Sequence, residues 1–430
     1  VLGHAKAYHA YYDNFDFDGQ VGITMGGEYT EPADPNSEVD IAAADRFMQF
    51  RLGIWCHPIF RNGDWPEIVK QQVAMKNARF YDLGLDDYEL SDWEIEMNGL
   101  GINIDNRLPE FSEEEKTLLA RSADFLGVNS YTTSWVKDGR NDPYNGRFDL
   151  NYENDPDASE VDRCEERGYP DWLCIVPYGF RRLLAWYALE YDNIPMLVTE
   201  NGFGSEKEAY EIVDDFDRAN LYKRYINEML KSMVWDQRNI LGYTAGSLMD
   251  NLEWNDGYKA RFGLFSVDYE DPMRPRQIKY SGIYYSQLVK RNGFADEAPY
   301  LAIDEPFPEN FAFSSATASY QIEGAWNEGG REETIWDKSS HTCNKWQWWD
   351  SEDKCWDHVL NGESGDVACD SYHKWEEDIE NLKDLGVQSY RFSIAWARLL
   401  RNDGTVNPEG KDFYNNFINA LIANNIEPHV

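Results

Sequence analysis

The sequence predicts an α/β fold in which a parallel sheet is covered by helices. Short apolar runs rich in β-branched and aromatic residues recur along the chain, and each is followed by a polar loop and a helical pattern. The chain has 430 residues, of which 42% are hydrophobic, so it is long enough for one large core or two modest ones. Regular alternation of strand and helix is typical of a parallel sheet wrapped by helices.

The predicted elements follow this alternation in order. Strands are predicted at 22–25, 125–128, 195–198, 242–245, 311–313, 387–392 and 426–430. Helices are predicted at 217–231 and 376–385, because apolar residues recur there every three or four positions. Prolines and acids with little periodicity predict a linker at 295–308. The chain therefore divides into residues 1–294, the linker, and residues 309–430.

Composition excludes several classes of partner. The formal net charge is -38, which would repel nucleic acid and anionic membranes. No apolar run approaches the about 20 residues that a membrane span needs, so no span is predicted. The chain opens Val1-Leu2-Gly3-His4, without a basic segment followed by an apolar one, so a signal peptide is expected only outside this sequence.

The cysteines predict disulfides rather than a metal site. Cys164 and Cys174 flank a short polar loop, as do Cys343 and Cys355, which predicts two local disulfides in an oxidising compartment. Six free thiols in a cytosolic protein are the alternative. Close Cys pairs and a His-Glu-x-x-His pattern are both missing, so we expect neither a metal nor a cofactor.

A carboxylate stands at the end of one predicted strand. Residues 197–202 read Leu-Val-Thr-Glu-Asn-Gly, which places Glu200 where the loop of an α/β barrel can present it to a substrate. A glutamate that only caps the following turn is the alternative, because acids at strand ends are common. Taken alone, the motif leaves both interpretations open.

Longer motifs elsewhere resemble one enzyme family. Thr-Glu-Asn-Gly at 199–202 matches the nucleophile motif of the family 1 glycoside hydrolases, which include β-glucosidases and lactase-like enzymes. Ser-Leu-Met-Asp-Asn-Leu-Glu-Trp-Asn-Asp-Gly-Tyr at 247–258 resembles the family's last barrel strand and following loop. Segments 311–325 and 390–398 resemble its amino-terminal signature and second strand. The resemblance implies a (β/α)8 barrel.

The resemblance also implies a retaining β-glycosidase. In such enzymes one carboxylate attacks the anomeric carbon, and a second, about 5 to 5.5 Å away, protonates the leaving oxygen. Glu200 would attack, and Arg391 would keep it ionised and orient its oxygens. Asn129 and Tyr131 match positions that approach the nucleophile and the reacting face of the sugar. A buried polar pair is the alternative for these two residues.

Four further residues match the family's sugar-binding positions. Gln321 and Glu253 would hold hydroxyls far from the bond that breaks, and Trp254 would add a donor and a wall. Phe262 would complete the apolar side of the pocket, or would belong to the core. The implied substrate is a β-glucoside or an oligosaccharide, and no cofactor is implied.

The sequence departs from the family pattern in three ways. Asn-Glu-Pro, which carries the family's acid/base Glu after the fourth strand, does not occur in the chain. Residues 309–430 resemble the part that comes first in the family, so the halves are transposed, and about 90 residues including the fourth strand are absent, judged from typical unit lengths. Gly246 stands where the family usually has a Trp under the sugar, which should weaken binding of an ordinary glucoside.

Two explanations fit the transposed order. The chain spans the end of one family 1 unit and the start of the next, or it is a circular permutant that lost a segment. The first is favoured, because a barrel without its fourth strand would leave unpaired edges and an open core. Under that interpretation Gln321 and Arg391 belong to a different pocket from Glu200.

The expected function is hydrolysis of β-glucosides or related β-glycosides in an extracellular or secretory setting. One alternative is a degenerate, klotho-like unit that binds sugar or protein without turnover. Another is a myrosinase-like thioglucosidase, whose leaving group needs no proton. Only the absent fourth-strand segment would discriminate among them.

Overall fold

The computed structural model describes residues 1–82, 107–140, 155–206, 213–294, 303, 305–342 and 359–430. These residues form two compact units. The first comprises Val1–Glu166 and Cys174–Met196, and the second comprises Arg167–Leu173 and Leu197–Val430. No helix in the described part of the chain has the length and apolarity that crossing a membrane requires.

The first unit combines short strands with helices. Its strands are β1 (Ile23–Gly26), β2 (Tyr29–Pro32), β3 (Leu126–Asn129), β4 (Thr133–Asp138) and β5 (Ala158–Glu160). Its helices are α1 (Leu2–Asn14), α2 (Glu38–Met48), α3 (Ile54–His57), α4 (Glu67–Asp82), α5 (Glu113–Leu119) and α6 (Pro177–Glu190), and π-helical segments at Gln49–Gly53 and Pro58–Asn62 flank α3.

Strand pairing and one amphipathic helix organise this unit. β1 pairs with β3 in parallel, while β4 pairs with β2 in parallel and with β5 in antiparallel fashion. Apolar side chains of α2 pack with Val136 of β4 and Ala158 of β5, and the helix residues concerned are Ala43, Ala44 and Phe47. The buried face of α2 therefore covers the second sheet of the unit.

The second unit contains the strands that carry most of the candidate site. Its strands are β6 (Met196–Asn201), of which Met196 alone is assigned to the first unit, β7 (Ile240–Gly246), β8 (Phe265–Val267), β9 (Arg276–Ile278), β10 (Ala312–Ala316), β11 (Ser389–Arg391) and β12 (Glu427–His429). Its helices are α7 (Phe216–Val234), α8 (Tyr280–Arg291), α9 (Ser319–Ile322), α10 (Ile335–His341), α11 (Ser371–Leu385), α12 (Trp396–Leu399) and α13 (Pro408–Ala423). Short 3-10 turns lie at Trp254–Asp256 and Leu360–Gly362.

Five strands of this unit lie side by side in the order β6, β7, β10, β11, β12. β10 pairs in parallel with both β7 and β11, and β11 pairs in parallel with β12. Ala316 lies opposite both Gly246 and Arg391, so these strands end in register. Because parallel strands share one carboxyl edge, the residues that follow them meet there.

The core beneath these strands joins the two sequence segments of the unit. Phe313 of β10, Tyr243 of β7 and Tyr285 of α8 are fully buried. The Tyr285 hydroxyl donates to the Ser314 carbonyl oxygen at 2.7 Å. The buried hydroxyl is thereby satisfied, which burial of a polar group requires.

The structure confirms the predicted secondary structure. Each predicted strand corresponds to an observed one, and the helices predicted at 217–231 and 376–385 lie within α7 and α11. Within the predicted linker, residues 295–302 and 304 lie outside the described part. Ile303 and Phe307 are buried, and the Phe307 ring lies 4.6 Å from that of Phe311.

Candidate active site

Glu200 lies at the carboxyl end of β6, where Arg391 contacts it. Arg391 ends β11, and its Nη1 donates to Oε1 of Glu200. Each side chain keeps 27% of its surface exposed, so the ion pair is accessible from solvent. A chain that spans the end of one unit and the start of the next would have these residues in different pockets, whereas in this structure they are hydrogen-bonded within the second unit.

This contact requires the strands to curl. Two strands, β7 and β10, lie between β6 and β11. Neighbouring strands are about 4.8 Å apart, so three steps across a flat sheet would separate the two backbones by about 14 Å, and side chains standing perpendicular to such a sheet would not meet. The side chains meet because the carboxyl ends curve toward each other, as they do in a closing barrel.

The neighbours of Glu200 anchor its strand. Asn201 is fully buried, and its Oδ1 accepts a hydrogen bond from the Tyr243 hydroxyl at 2.6 Å. A Cβ added at Gly202 would lie 1.8 Å from the carbonyl oxygen of Gly246. The glycine of the Thr-Glu-Asn-Gly motif is therefore needed for the close approach of the segment after β6 to the end of β7.

Gln321 on α9 contacts the loop after β7. Its Nε2 donates to Oδ1 of Asn251 at 2.9 Å and to the Leu252 carbonyl oxygen at 2.7 Å. Both donor hydrogens are thus engaged with the loop. The group that Gln321 can offer a ligand is its carbonyl oxygen.

Glu253 and Trp254 follow in the same loop. Glu253 is partly accessible, yet desolvation of its carboxyl, together with the charges of Asp250 and Glu200, raises its pKa to about 8. At neutral pH the carboxyl is therefore protonated and can donate as well as accept a hydrogen bond. Trp254 is 42% exposed, so its indole is open to a ligand.

Phe262 is buried in the second unit. It is 6% exposed, and a Cβ added at Gly204 would lie 2.8 Å from its ring. The ring therefore packs on the backbone of the segment that follows β6.

Asn129 and Tyr131 belong to the first unit. Asn129 ends β3 opposite Gly26 of β1, and its carbonyl oxygen accepts a hydrogen bond from the Gly27 amide at 3.1 Å. Tyr131 lies two residues further on and is partly buried. The second unit thus brings together Glu200, Arg391, Gln321, Glu253, Trp254 and Phe262, but it does not contain these two residues.

One buried ion pair beneath the site was not predicted. Lys279 Nζ lies 2.6 Å from Oδ1 of Asp250, and neither side chain is exposed. Burial lowers the pKa of Lys279 to about 7, with the charge of Arg218 acting in the same direction and Asp250 opposing it. Asp250 Oδ1 also accepts from the Gly263 amide at 2.9 Å. Spacing could not identify Lys279, which lies 29 residues after its partner.

The disulfide prediction is confirmed where it can be compared. Cys164 and Cys174 are bonded. Cys343 and Cys355 lie outside the described residues. In the part of the chain that the structure describes, Cys56 and Cys369 are free and buried.

The sequence profile of glycosyl hydrolase family 1 matches residues 1–294 and 303–430. Rat lactase/phlorizin hydrolase is 38% identical over 442 residues, which cover 100% of this chain and 20% of that protein. Human cytosolic beta-glucosidase is 35% identical over 298 residues, covering 68% of this chain and 57% of that protein. The chain thus spans between a fifth and about three fifths of the length of these relatives.

Solved structures of the same family are similar to this one. Aphid myrosinase superposes with a TM-score of 0.55 at 33% identity, covering 67% of this chain and 56% of that one. The beta-glucosidase from Trichoderma harzianum gives a TM-score of 0.55 at 31% identity, with coverage of 67% and 56%. The fold is therefore the (β/α)8 barrel of family 1 glycosidases, incomplete here because the region of the fourth strand is absent from the sequence. The chain belongs to glycosyl hydrolase family 1.

Proposed function

We propose that this chain carries the nucleophile of a retaining β-glycoside hydrolase that acts on β-glucosides or related β-glycosides. The observation that carries the proposal is the hydrogen bond from Arg391 to Glu200 at the carboxyl ends of β11 and β6. A guanidinium in this position orients the carboxylate oxygens of Glu200, as an attacking carboxylate requires.

The proposed reaction has two steps. The Glu200 carboxylate attacks the anomeric carbon as the bond to the leaving oxygen breaks, and a glycosyl ester forms on Glu200. A carboxylic acid outside this chain gives its proton to the leaving oxygen. It then takes a proton from water, which attacks the ester and releases the sugar with its configuration retained.

The remaining site residues would hold the sugar. Gln321 offers a carbonyl oxygen to a sugar hydroxyl, and the protonated Glu253 offers an acidic hydrogen. Trp254, which is 42% exposed, offers part of its indole. Asn129 and Tyr131 are proposed catalytic residues on the strength of their match to the family motif, and Phe262 is a proposed wall of the pocket.

We also propose that the chain comes from a protein with family 1 units in series. The lactase/phlorizin hydrolase alignment runs continuously through all of this chain, so that relative has the same order of segments. Human cytosolic beta-glucosidase covers only 68% of the chain. In such an array residues 309–430 would begin the following unit. The preceding unit's own amino-terminal segment would then place a counterpart of Arg391 beside Glu200.

Sequencing the transcript upstream of the Val1 codon tests this arrangement. An in-frame fourth-strand segment with Asn-Glu-Pro would supply the acid for Glu200 and support units in series. An in-frame upstream sequence without such a segment would contradict both that arrangement and the proposed acid.

An oxidising compartment, extracellular or within the secretory pathway, is part of the proposal. The Cys164–Cys174 disulfide supports it, because structural disulfides are rare in the cytosol.

Binding of the cationic iminosugar 1-deoxynojirimycin, measured by calorimetry, tests the proposed sugar site. Glu200→Gln should weaken binding by about tenfold or more, since a charged hydrogen bond contributes about 1.5–3 kcal/mol. Glu332→Gln is the control, because Glu332 accepts a hydrogen bond from an exposed loop amide, that of Asn402. Equal affinity of Glu200→Gln and the parent chain, or no binding by the parent chain, would contradict the proposal.

A further inference from the structure

The loop that carries Glu253 and Trp254 forms a tight turn. The Glu253 amide donates to the Gly257 carbonyl oxygen at 2.8 Å, and the Gly257 amide donates to the Trp254 carbonyl oxygen at 3.1 Å. These bonds tie the position of Glu253 to that of Gly257. Whatever holds Gly257 therefore also holds Glu253.

The turn has an unfavourable backbone conformation. Trp254 has a φ of 51°, in the left-handed region that side chains with a Cβ rarely adopt. Such a conformation costs about 1–3 kcal/mol and persists only where the surroundings impose it. The turn therefore needs contacts from outside its own sequence.

Those contacts come from the segment 359–366. Oε2 of Glu363 accepts a hydrogen bond from the Tyr258 amide at 2.6 Å, and the Tyr258 hydroxyl donates to the Ser364 carbonyl oxygen at 2.7 Å. A Cβ added at Gly257 would lie 2.0 Å from the same Glu363 oxygen. The Glu363 carboxylate therefore lies directly against Gly257, the last residue of the turn.

We infer that Glu363 is a positioning residue for the sugar-binding turn formed by residues 253–257. Oε2 of Glu363 accepts from the Tyr258 amide and so keeps the adjacent Gly257 in place. The Gly257 carbonyl oxygen in turn fixes the backbone of Glu253. Gln321 holds the other side of the loop through the Leu252 carbonyl oxygen. The role of Glu253 and Trp254 in sugar binding rests on the proposed function. The contact between Glu363 and the turn does not.

The Trp254 ring provides a local readout. Its centroid lies 4.8 Å from that of Trp336, so its magnetic environment depends on the turn geometry. With 5-fluorotryptophan incorporated, Trp254→Phe identifies the Trp254 signal in a fluorine NMR spectrum. Glu363→Ala should shift or broaden that signal, and Glu363→Gln should largely preserve it because an amide oxygen can still accept from Tyr258.

Asp403→Ala is the matched control. Asp403 also accepts a hydrogen bond from a backbone amide, that of Thr405, but in an exposed turn elsewhere. This variant should leave the Trp254 signal unchanged. An unchanged signal in Glu363→Ala, or the same change in Asp403→Ala, would overturn the inference.

Calorimetry with 1-deoxynojirimycin links the turn to sugar binding. Glu363→Ala should weaken binding about tenfold, equivalent to about 1.4 kcal/mol, and Glu363→Gln should restore most of the affinity. Unaltered affinity of Glu363→Ala would overturn the positioning role. If the parent chain fails to bind the iminosugar, the proposed function fails, and the Trp254 signal still decides whether Glu363 holds the turn.

Discussion

At the scale of single residues, the candidate site depends on close approaches between segments that are distant in sequence. Arg391 reaches Glu200 from a strand 191 positions later in the chain. Gly202 allows the segment after β6 to approach the Gly246 carbonyl oxygen. Both contacts lie at the carboxyl edge of the strands, so small displacements there would move the carboxylate.

Gly202→Ala should destabilise the protein by about 2 kcal/mol, in the range usual for overpacking. The added Cβ would lie 1.8 Å from a backbone oxygen, which cannot rotate aside as a side chain can. Gly26→Ala is the control, because a Cβ there meets nothing within 4 Å. Urea unfolding at equilibrium measures both variants, and equal midpoints would contradict the close approach.

Glu253 should make stability fall as pH rises from about 5 to about 8. Its pKa is raised from an ordinary value of 4.5 to about 8 in the folded protein, so the folded state binds more protons than the unfolded state in this window. The free energy of unfolding falls by at most about 1.36 kcal/mol for each unit by which the folded pKa exceeds the unfolded one. Glu253→Gln should remove this part of the dependence, as denaturant unfolding at both pH values would reveal. An identical pH dependence in the two proteins would contradict the raised pKa.

At the scale of elements, a short disulfide loop constrains the chain before α6. Cys164 and Cys174 are separated by 10 positions. A crosslink of this kind stabilises mainly by limiting the unfolded chain. Its contribution can therefore be measured without any ligand.

Replacing both Cys164 and Cys174 by Ser should lower the free energy of unfolding by about 2–3 kcal/mol. Guanidinium unfolding of the variant and of the parent chain, each without reductant, measures the difference. Dithiothreitol should lower the stability of the parent chain more than that of the double variant, which keeps the predicted Cys343–Cys355 disulfide. Equal sensitivity to the reductant would show that the disulfide is not the source of the effect.

At the scale of the whole molecule, the large negative net charge affects the stability of the fold. A net charge of -38 on 430 residues disfavours a compact state through self-repulsion. At 0.1 M salt, repulsion between exposed charges more than about 10 Å apart is largely screened. Ionic strength should therefore affect stability more than it does in a protein near neutrality.

Raising sodium chloride from about 0.01 to 0.15 M should increase the Tm by about 2 °C or more, the shift that corresponds to about 1 kcal/mol in a large domain. Scanning calorimetry measures it, and potassium chloride at the same concentration should give the same shift, because screening does not depend on the cation. A Tm that stays constant or falls would contradict the role of self-repulsion.

The secondary structure and the strand-end position of Glu200 could be predicted from the sequence because both depend on local patterns. Apolar runs located β6 and β7, and helical periodicity located α7 and α11. The pairing of β7 with β10 could not be predicted, because it joins segments about 70 residues apart with no local signal. The raised pKa of Glu253 was equally out of reach, since it depends on burial and on charges brought close by folding.

The central claim is that Glu200 attacks the anomeric carbon, and covalent trapping tests it most directly. In 2-deoxy-2-fluoro-β-D-glucosyl fluoride, fluoride leaves without needing a proton, so Glu200 can react even though no acid/base motif lies in this chain. We predict that mass spectrometry will find one fluoroglucosyl group per chain, mapped to Glu200, and none on Glu200→Gln. No adduct, or an adduct on another residue, would contradict the account and favour a unit that binds sugar or protein without turnover.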